Sequence, residues 1–271
     1  MTIQFQKMSG AGNDFVVMDN RAGIVPDERA ELIRQWCHRR MGIGADGVLL
    51  VEPSPGDGFD FRMRYYNADG GEAEMCGNGA RCIARFAHAI GAAPAQMRFL
   101  TMAGPVEAVV RESGDVMIGV SDPRDLCRGI DLSKCGAGAL AGDYINTGVP
   151  HVVIRVSDLK NVPVFQLGRA IRNYDAFAPA GTNVNFYTPR ADGGLDYRTY
   201  ERGVEDETLA CGTGAIATAL IASLAGHATS PAKVHTSGGP VLTIYFEKTA
   251  DGFTNIKLEG EARFVFKGEL E

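Results

Sequence analysis

Short apolar runs bounded by turn-forming residues recur along the chain, and they predict many short strands. The runs are rich in β-branched and aromatic residues, which are typical of strands. In each half of the chain, three such runs precede a glycine-rich turn and a helical stretch of about 14 residues, and three more follow it. The predicted strands are Phe15–Met18, Val48–Val51, Phe61–Tyr66, Met97–Thr101, Val106–Arg111, Val116–Val120, Val152–Val156, Asn185–Thr188, Leu195–Tyr200, Lys233–Thr236, Val241–Glu247 and Asn255–Glu259.

The two helical stretches each begin at a Cys-Gly turn, but their polar faces differ. The stretch after Cys211 has almost no polar position, which indicates a helix enclosed by sheet. The stretch after Cys76 carries Arg81, Arg85 and His88. Its outer face is therefore expected to meet water or a second subunit.

The two halves also resemble each other in sequence. Glu74–Gly91 aligns with Leu209–Gly226 at an offset of 135 residues, and cysteine falls on cysteine. Matches that recur in the same order indicate a duplicated domain rather than a short-period solenoid. Two further pairs match at an offset of 137 residues, Asp14–Val17 with His151–Ile154 and Gly44–Val51 with Gly181–Thr188.

This duplicated pattern predicts an α+β fold of two pseudo-symmetric domains. Each domain is expected to be a curled, mostly antiparallel sheet around a central helix. The first domain is predicted over residues 1–119 with Cys76, and the second over 120–262 with Cys211, so that the join falls near Gly119 to Asp122. A C-terminal strand over about 263–271 is expected to return to the first domain.

Composition and charge restrict the kind of partner. The 271 residues are 45% hydrophobic and 22% charged, as in ordinary folded proteins. A formal charge of -6 without a long run of like charge argues against a nucleic-acid partner. The apolar core Ala215–Ala225 is much shorter than the roughly 20 residues that span a bilayer, and no secretory signal is recognisable. We therefore expect a small-molecule partner, no membrane attachment, and a cytoplasmic location with reduced thiols.

The two Cys-Gly turns carry the candidate chemistry. A cysteine before Gly-x-Gly and a helix places its sulfur at the helix N-terminus, where backbone N–H groups and the helix dipole favour a thiolate. The same N–H groups can hold a carboxylate. If a pseudo-twofold axis relates the halves, the turns are expected to face each other across a bound molecule. Such an arrangement suits removal of a proton from one face of a carbon and its return on the other.

Other interpretations of these residues fit less well. A lone cysteine before a glycine turn is usually a packing residue, but repetition at matching sites favours function. Gly212–Ala217 matches a dinucleotide pattern, yet no acidic residue occurs between Thr208 and Phe246. No sequence motif excludes pyridoxal phosphate as a cofactor. Zinc fits poorly because of the cysteine spacing, and no metal is expected. The remaining cysteines are expected to be packing residues: Cys37, Cys82, Cys127 and Cys135.

At these residues the chain resembles the diaminopimelate epimerase family, cofactor-independent enzymes that interconvert LL- and meso-diaminopimelate with two cysteines. The resemblance covers essentially the whole chain, and two Cys-Gly-x-Gly-Ala boxes are highly specific. It implies an isomerase of lysine and peptidoglycan precursor synthesis without a cofactor, acting as a cytoplasmic homodimer. The matching segments are Gly12–Phe15, Gly44–Gly47, Asn67–Cys82, Pro150–His151, Asn183–Phe186, Tyr200–Gly203 and Ala210–Ala215.

The resemblance also implies a role for individual residues. Cys76 and Cys211 correspond to the catalytic acid/base pair. His151 and Glu201 correspond to polar residues that assist protonation of the thiols, and Arg202 suits a two-point grip on the distal carboxylate. The residues implied to bind substrate are Asn13, Asn67, Gly77, Asn78, Asn183, Glu201, Arg202, Gly212 and Thr213.

Three positions depart from the family pattern. Val149 stands where many relatives carry a substrate-contacting asparagine, and Gly47 where some carry glutamine. Phe266 replaces a tyrosine that is associated with the dimer interface. These departures concern individual contacts and leave the implied chemistry unchanged.

Two alternatives stay open. A racemase of the same architecture acting on another amino acid, such as histidine, would keep both cysteines without needing a clamp for a distal carboxylate. Arg202 with Asn67 and Asn183 favours diaminopimelate over that alternative. A noncatalytic thiol-switch or metal-binding module is the alternative from a different class, and metal analysis of the purified protein would distinguish it.

Overall fold

The computed structural model describes residues 2–56, 58–136 and 140–270. The chain divides into two compact units. The N-terminal unit comprises Met1–Gly119 and Glu259–Glu271, and the C-terminal unit comprises Val120–Leu258. The outermost residues of the predicted domains, 1 and 271, lie outside the described residues, as do 57 and 137–139.

The N-terminal unit is a mixed sheet with two α-helices. The elements are β1 (Ile3–Gly10), β2 (Asn13–Asp19), α1 (Ala30–Cys37), β3 (Gly47–Glu52), β4 (Phe61–Asn67), α2 (Gly77–Ala89), β5 (Gln96–Thr101), β6 (Gly104–Val110), β7 (Val116–Gly119) and β17 (Arg263–Leu270). In the sheet, β17 pairs antiparallel with β1, which pairs antiparallel with β2. The strands β2 and β3 are parallel, β4 is antiparallel to β3, β5 is parallel to β4, and β6 and β7 follow antiparallel.

The C-terminal unit repeats the order of two strands, a short helix, two strands, a long helix and three strands, with one strand added before this order and another before the long helix. Its elements are β8 (Arg124–Asp131), β9 (Ala141–Asn146), β10 (Pro150–Arg155), α3 (Val164–Arg172), β11 (Asn183–Pro189), β12 (Leu195–Glu201), β13 (Asp206–Thr208), α4 (Gly212–Leu224), β14 (Ala232–His235), β15 (Val241–Lys248) and β16 (Phe253–Gly260), with 3-10 turns at Ser133–Cys135 and Asp175–Phe177. The added strands are β8 and β13. Here β8, β9 and β10 are successively antiparallel, β11 is parallel to β10, and β12 is antiparallel to β11. Strand β12 then pairs antiparallel with β13 and parallel with β14, and β15 is antiparallel to β14.

The same sequence of connections therefore occurs twice. In each unit a parallel strand pair is joined through a short helix, an antiparallel strand follows, and a longer helix leads to the next parallel strand. Even the registers agree, because Phe15 pairs with Gly47, and the residues that match them in the sequence repeat, Val152 and Val184, also pair. The α+β class expected from the sequence is confirmed, and the duplication is visible in strand order as well as in residues.

Burial on both faces explains why the central strands are almost continuously apolar. Val16, Met18, Val48 and Leu50 pack with Ile33 of α1 in one cluster. The alternate side chains of β2 and β3 point to the opposite face, where α2 packs. Strands covered on both faces are typical of parallel pairs with helical connections.

The helices partly differ from those predicted. Ten of the thirteen residues of α4 are buried, which confirms the enclosed helix after Cys211. However, each unit has a second helix, α1 or α3, that the prediction of one helix per half omitted. These helices have only eight and nine residues, so their periodic pattern spans little more than two turns. No helix in the described parts of the chain has both the length and the apolar character needed to cross a membrane.

One expected packing residue is not buried. Cys127 lies on β8, whose residues are nearly all exposed, so its prediction as a core residue was wrong. Cys37 and Cys82 are buried, and Cys135 is partly buried. Strand β8 pairs with β9 alone among the described strands, and an outer strand of this kind leaves its side chains largely in water.

Candidate active site

Both candidate cysteines are the N-terminal caps of helices and have nearly the same conformation. Cys76 caps α2 with φ -140° and ψ 118°, and Cys211 caps α4 with φ -125° and ψ 115°. In each turn the sulfur accepts a hydrogen bond from the backbone N–H three residues later, at 3.4 Å from Gly79 N or Gly214 N. Both sulfurs thus lie at the positive end of a helix dipole, as the Cys-Gly-x-Gly pattern predicts.

The residue three positions after each cysteine must be small because a neighbouring strand approaches it. A Cβ at Gly214 would lie 2.5 Å from Asn185 Oδ1. A Cβ at Gly79 would lie 3.3 Å from Leu49 Cδ2. Glycine at this position therefore allows the helix start, and with it the cysteine, to approach the sheet closely.

A chain of side-chain hydrogen bonds orients two predicted substrate-binding asparagines in the N-terminal unit. Arg81 Nη2 donates to Asn78 Oδ1 at 2.7 Å, and Asn78 Nδ2 donates to Asn13 Oδ1 at 2.7 Å. Asn13 Nδ2 then donates to Asp46 Oδ2 at 2.9 Å. Because a guanidinium only donates and a carboxylate only accepts, the two ends determine how both amides are turned.

Arg81 is fully buried within the chain, so the expectation that it lies on an outer face that meets water or a second subunit was wrong. Its Nη1 and Nε donate to the backbone carbonyls of Gly77 at 3.3 Å and Glu261 at 3.5 Å. Burial lowers the pKa of Arg81, and the nearby Cys82 and Cys76 oppose that shift. These acceptors explain how a charged side chain is accommodated on the inner face of α2.

Beyond Asn13, a cluster of ion pairs holds the acidic end of this chain. Arg39 Nη2 lies 2.6 Å from Asp46 Oδ1 and 2.7 Å from Asp14 Oδ1, and Lys7 Nζ lies 2.6 Å from Asp14 Oδ2. Burial raises the pKa of Asp14, but the hydrogen bonds from Arg39 and Lys7 outweigh it and the net shift is downward. Asp46 is therefore held in place from several sides.

Asn67, the remaining candidate of this unit, lies at the exposed end of β4. Its Oδ1 accepts a hydrogen bond from Tyr65 Oη at 2.7 Å. Burial raises the pKa of Tyr65, and the charge of Cys76 adds to that shift. Gly47 pairs with Asn67 on the neighbouring strand, and a Cβ at Gly47 would lie 2.8 Å from Tyr65 Cε2 and closer still to the backbone oxygen of Tyr66. The backbone of β4 and the Tyr65 ring thus occupy space that the glutamine of some relatives would need.

In the C-terminal unit, a line of polar side chains leads into the sheet from Cys211. Its Sγ lies 3.4 Å from Thr213 Oγ1, which lies 3.0 Å from His151 Nε2. His151 Nδ1 lies 3.1 Å from Asn185 Nδ2. His151 is fully buried, and burial together with the charge of Arg202 lowers its pKa to about 3. The imidazole is accordingly neutral at physiological pH.

Glu201 also interacts with the same sulfur. Burial raises the pKa of the Cys211 thiol, and the charge of Glu201 raises it further, while Thr213 and the Gly214 N–H oppose the shift. The pKa of Glu201 is itself raised by burial, against side-chain hydrogen bonds from Thr208 and Cys211. The thiol therefore interacts both with a carboxylate acceptor and with hydrogen-bond donors.

Asn183 and Arg202 are joined beside His151. Asn183 is the strand partner of His151, and its Oδ1 accepts from Arg202 N at 2.8 Å. Asn183 Nδ2 donates to Pro150 O at 3.0 Å. The Arg202 guanidinium donates through Nη1 to Ala180 O at 3.0 Å. All predicted site residues of this unit, including Gly212 at the start of α4, thus lie within one connected group.

The sequence analysis did not identify several residues that support these turns. Tyr197 is fully buried, and its hydroxyl hydrogen-bonds both backbone polar groups of Cys211. It donates to Cys211 O at 2.8 Å and accepts from Cys211 N at 2.7 Å. Asn185 lies two residues after Asn183 between apolar neighbours, and a polar residue inside such a strand was an available signal. Arg81 and Tyr197 gave no comparable signal. Across the described residues, no three His, Cys, Asp or Glu side chains group as metal ligands.

Solved structures with the same fold include a phenazine biosynthesis protein of the PhzF family from Bacillus anthracis, with a TM-score of 0.70 and 17% identity over 100% of this chain and 99% of that one. A probable proline racemase from Agrobacterium radiobacter K84 aligns with a TM-score of 0.71 and 17% identity, over 99% of this chain and 93% of that one. The protein therefore has the two-domain α+β fold that these racemase and PhzF-family structures share. Within that class, the chain belongs to the diaminopimelate epimerase family, whose sequence profile matches residues 5–122 and 143–265.

Relatives of that family align along nearly the whole chain. The diaminopimelate epimerase of Aquifex aeolicus is 41% identical over 276 residues, which cover 99% of this chain and 98% of the relative. That of Chlorobaculum tepidum is 44% identical over 266 residues, which cover 97% and 99%.

The buried histidine makes a prediction about stability. In the unfolded chain the pKa of His151 is about 6.5, and in the fold it is lowered to about 3, so only the unfolded state binds this proton between those values. Its contribution to stability is therefore complete above pH 6.5 and is lost as pH falls towards 3, at up to about 1.4 kcal/mol per pH unit. Urea unfolding at pH 7, 6 and 5 should show this slope, reduced in His151→Gln. The matched control is His38→Gln, an exposed position. Equal slopes for wild type and His151→Gln would contradict the assignment.

Proposed function

We propose that this protein interconverts LL- and meso-diaminopimelate without a cofactor, with Cys76 and Cys211 as the two bases. The observation that carries the proposal is the matched pair of Cys-capped helix N-termini, found in a chain of the diaminopimelate epimerase family. The product would serve lysine and peptidoglycan precursor synthesis in the cytoplasm. We assign the two epimerase halves to residues 1–119 with about 263–271, and to 120–262; the compact units divide slightly earlier, between Leu258 and Glu259.

In the proposed reaction, one cysteine enters as a thiolate and takes the proton from the α-carbon of the substrate. The electron pair of the broken C–H bond remains as a carbanion next to the carboxylate. The other cysteine, as a thiol, returns a proton to the opposite face of that carbon, so the configuration inverts and the protonation states of the two cysteines are exchanged. The reverse reaction uses the same residues in exchanged roles.

The helix starts supply donors for the reacting carboxylate. In α2, the third N–H donates to the sulfur of Cys76 and the fourth, from Ala80, to the carbonyl of Cys76 at 2.7 Å. The first two N–H groups, of Gly77 and Asn78, are then the donors that we propose bind the carboxylate. In α4 the corresponding donors are Gly212 and Thr213. Backbone donors of this kind stabilise charge that develops during proton removal.

The remaining site residues are proposed to recognise the rest of the amino acid. Asn13, Asn67 and Asn183 present amides, of which Asn13 and Asn183 are oriented by hydrogen bonds to other residues. Arg202 is proposed to bind the distal carboxylate through its guanidinium. His151 and Glu201 are proposed to adjust the protonation of Cys211 without contacting the reacting carbon. Glu201 is also proposed to bind another part of the substrate.

We further propose a homodimer that pairs through the C-terminal strand. Along β17, the side chains of Phe264, Val265 and Phe266 are 39%, 56% and 48% exposed. A run of exposed apolar residues on one strand favours contact with a second copy. Light scattering should give a dimer for the wild type and a monomer for Phe266→Glu.

The test is chiral analysis of LL-diaminopimelate after incubation with the purified protein in buffer containing EDTA. We expect meso-diaminopimelate to form, with one solvent deuterium incorporated at the inverted carbon in D₂O. Parallel incubations with histidine, lysine and glutamate test the racemase alternative. No inversion of diaminopimelate, or faster inversion of histidine, would overturn the proposed substrate. No inversion of any amino acid would favour the noncatalytic thiol module.

A further inference from the structure

We propose that Asn185 is a positioning residue that sets the direction of a hydrogen-bond chain ending on the sulfur of Cys211. The chain runs from the Asn185 amide through His151 and Thr213 to the sulfur. Its significance for catalysis rests on the proposed function, but its direction is a property of the fold that is measured without any substrate.

The starting point is the orientation of the buried Asn185 amide. The Nδ2 atom lies 3.1 Å from the carbonyl oxygen of Val152, which only accepts hydrogen bonds. The Oδ1 atom accepts from Thr199 Oγ1 at 2.9 Å. The amide is therefore held with its NH₂ group towards Val152, and the second hydrogen of that group is directed at His151 Nδ1, 3.1 Å away.

This donor selects the tautomer of the imidazole. Because His151 Nδ1 receives a hydrogen from Asn185, it carries none of its own, and the neutral ring bears its proton on Nε2. The Nε2–H group then donates to Thr213 Oγ1 at 3.0 Å. With its lone pair engaged, the Thr213 hydroxyl has its hydrogen available for Cys211 Sγ at 3.4 Å.

The opposite tautomer would reverse the last link. A ring protonated on Nδ1 would present a lone pair at Nε2, and the Thr213 hydroxyl would donate to the ring instead of to the sulfur. The sulfur would then keep only the N–H of Gly214 among these donors, against burial and the Glu201 carboxylate. Asn185 therefore determines whether Cys211 has one donor or two when it becomes a thiolate.

This chain is specific to one of the two turns. By the sequence repeat, the positions of His151, Asn185 and Thr213 correspond to Asp14, Val48 and Asn78 in the N-terminal unit. The Asn78 side chain bonds Asn13 and Arg81, so its amide is engaged away from the sulfur of Cys76. The two thiols are thus tuned by different surroundings although their helix caps match.

The first test is the tautomer of His151 in the wild-type protein, measured by ¹⁵N NMR with labelled histidine. The resonance is assigned by its loss in His151→Gln. We expect a protonated, pyrrole-type Nε2 and an unprotonated, pyridine-type Nδ1 near pH 7. A ring protonated on Nδ1, or on both nitrogens, would overturn the proposal whatever the enzyme does with diaminopimelate.

The second test measures the end of the chain through alkylation of Cys211 by iodoacetamide, followed by peptide mass spectrometry over a range of pH. Thr213→Val removes the last donor and should slow alkylation about ten- to a hundredfold at pH 8, because a hydrogen bond to a charged group is lost. Thr213→Ser should restore it. The matched control is Thr218→Val in the same helix, whose buried hydroxyl has no partner among the described residues. Equal rates for Thr213→Val and Thr218→Val would refute the last link.

The role of Asn185 itself is tested by Asn185→Asp, whose carboxylate accepts a hydrogen from His151 Nδ1 and so reverses the tautomer. It should slow alkylation and lower kcat about as much as Thr213→Val, with the acidic limb of the kcat profile moved to higher pH. The double variant should be no slower than either single variant, because both interrupt one chain. Additive losses would overturn the proposal.

If Asn185→Asp does not fold, the tautomer of the wild-type protein and the alkylation rates of the Thr213 variants still test the proposal. Inactivity towards diaminopimelate with the expected tautomer and alkylation rates would reject the proposed function alone.

Discussion

Replacing Cys76 or Cys211 with alanine should lower the rate of diaminopimelate epimerisation by about 10²- to 10⁴-fold, because each change removes one of the two groups that transfer the proton. The loss should fall on kcat, since neither sulfur is needed to hold the distal part of the substrate. Initial rates by chiral chromatography measure it in both directions. Both variants should retain the fold, because loss of a helix-capping hydrogen bond, such as each sulfur accepts from the N–H three residues later, costs about 1 kcal/mol.

The other cysteines provide matched controls for this experiment. Cys135→Ala removes a thiol that donates to Leu132 O at 2.9 Å, and Cys127→Ala removes an exposed one. Cys37→Ala removes a buried one. All three should keep turnover within a fewfold of the wild type. Normal epimerisation by Cys211→Ala, or an equal loss in Cys135→Ala, would show that the two helix caps do not perform the chemistry.

Arg202→Lys should lower kcat/KM for diaminopimelate by about ten- to a hundredfold, while conversion of lysine, which has no distal carboxylate, should hardly change. The substitution keeps the positive charge but loses the planar, two-point guanidinium, and a hydrogen bond to a charged group contributes about 1.5 to 3 kcal/mol. Arg202 is held by its N–H on Asn183 and by Nη1 on Ala180, so its head group is already directed by the fold. Steady-state rates for both compounds isolate the contribution of the distal carboxylate.

Arg172→Lys serves as the control for an arginine of the same unit that forms an ion pair, here with Glu205 at 3.0 Å. It should affect neither substrate. Equal losses for diaminopimelate and lysine in Arg202→Lys would assign this residue to the reacting carboxylate or to stability. That result would reopen the choice between diaminopimelate and other amino acids.

Much of the fold was predictable because its signals are local. The alternation of apolar residues in Phe61–Tyr66 and Leu195–Tyr200 follows from the two-residue period of a strand, and both segments are strands in the structure. The Cys-Gly-x-Gly turns are equally local, since a cap and its helix occupy consecutive residues. The sequence repeat also showed that the two halves correspond to each other, which no single motif could show.

The short helices α1 and α3 were not predicted, because about two turns of amphipathic pattern resemble many surface loops. Their helical state depends on packing against strands of the same unit, as Ile33 does with Val16 and Val48. The burial of Arg81 is of the same kind. Its partners at Gly77 and Asn78 are close in sequence, but its burial results from the sheet that encloses α2.

The amino-acid sequence by itself determined the α+β class, the duplication, the two Cys-capped turns and the family, because each of these depends on residue type and spacing within short segments. Only the tertiary structure decided what surrounds each sulfur. The parallel register of β10 and β11 places Asn185 beside His151, which is 34 residues away in the sequence. Thr213, at the start of α4, contacts the same imidazole ring. Hydrogen-bond direction depends on which atoms meet, and residues this far apart meet only when the strands are paired.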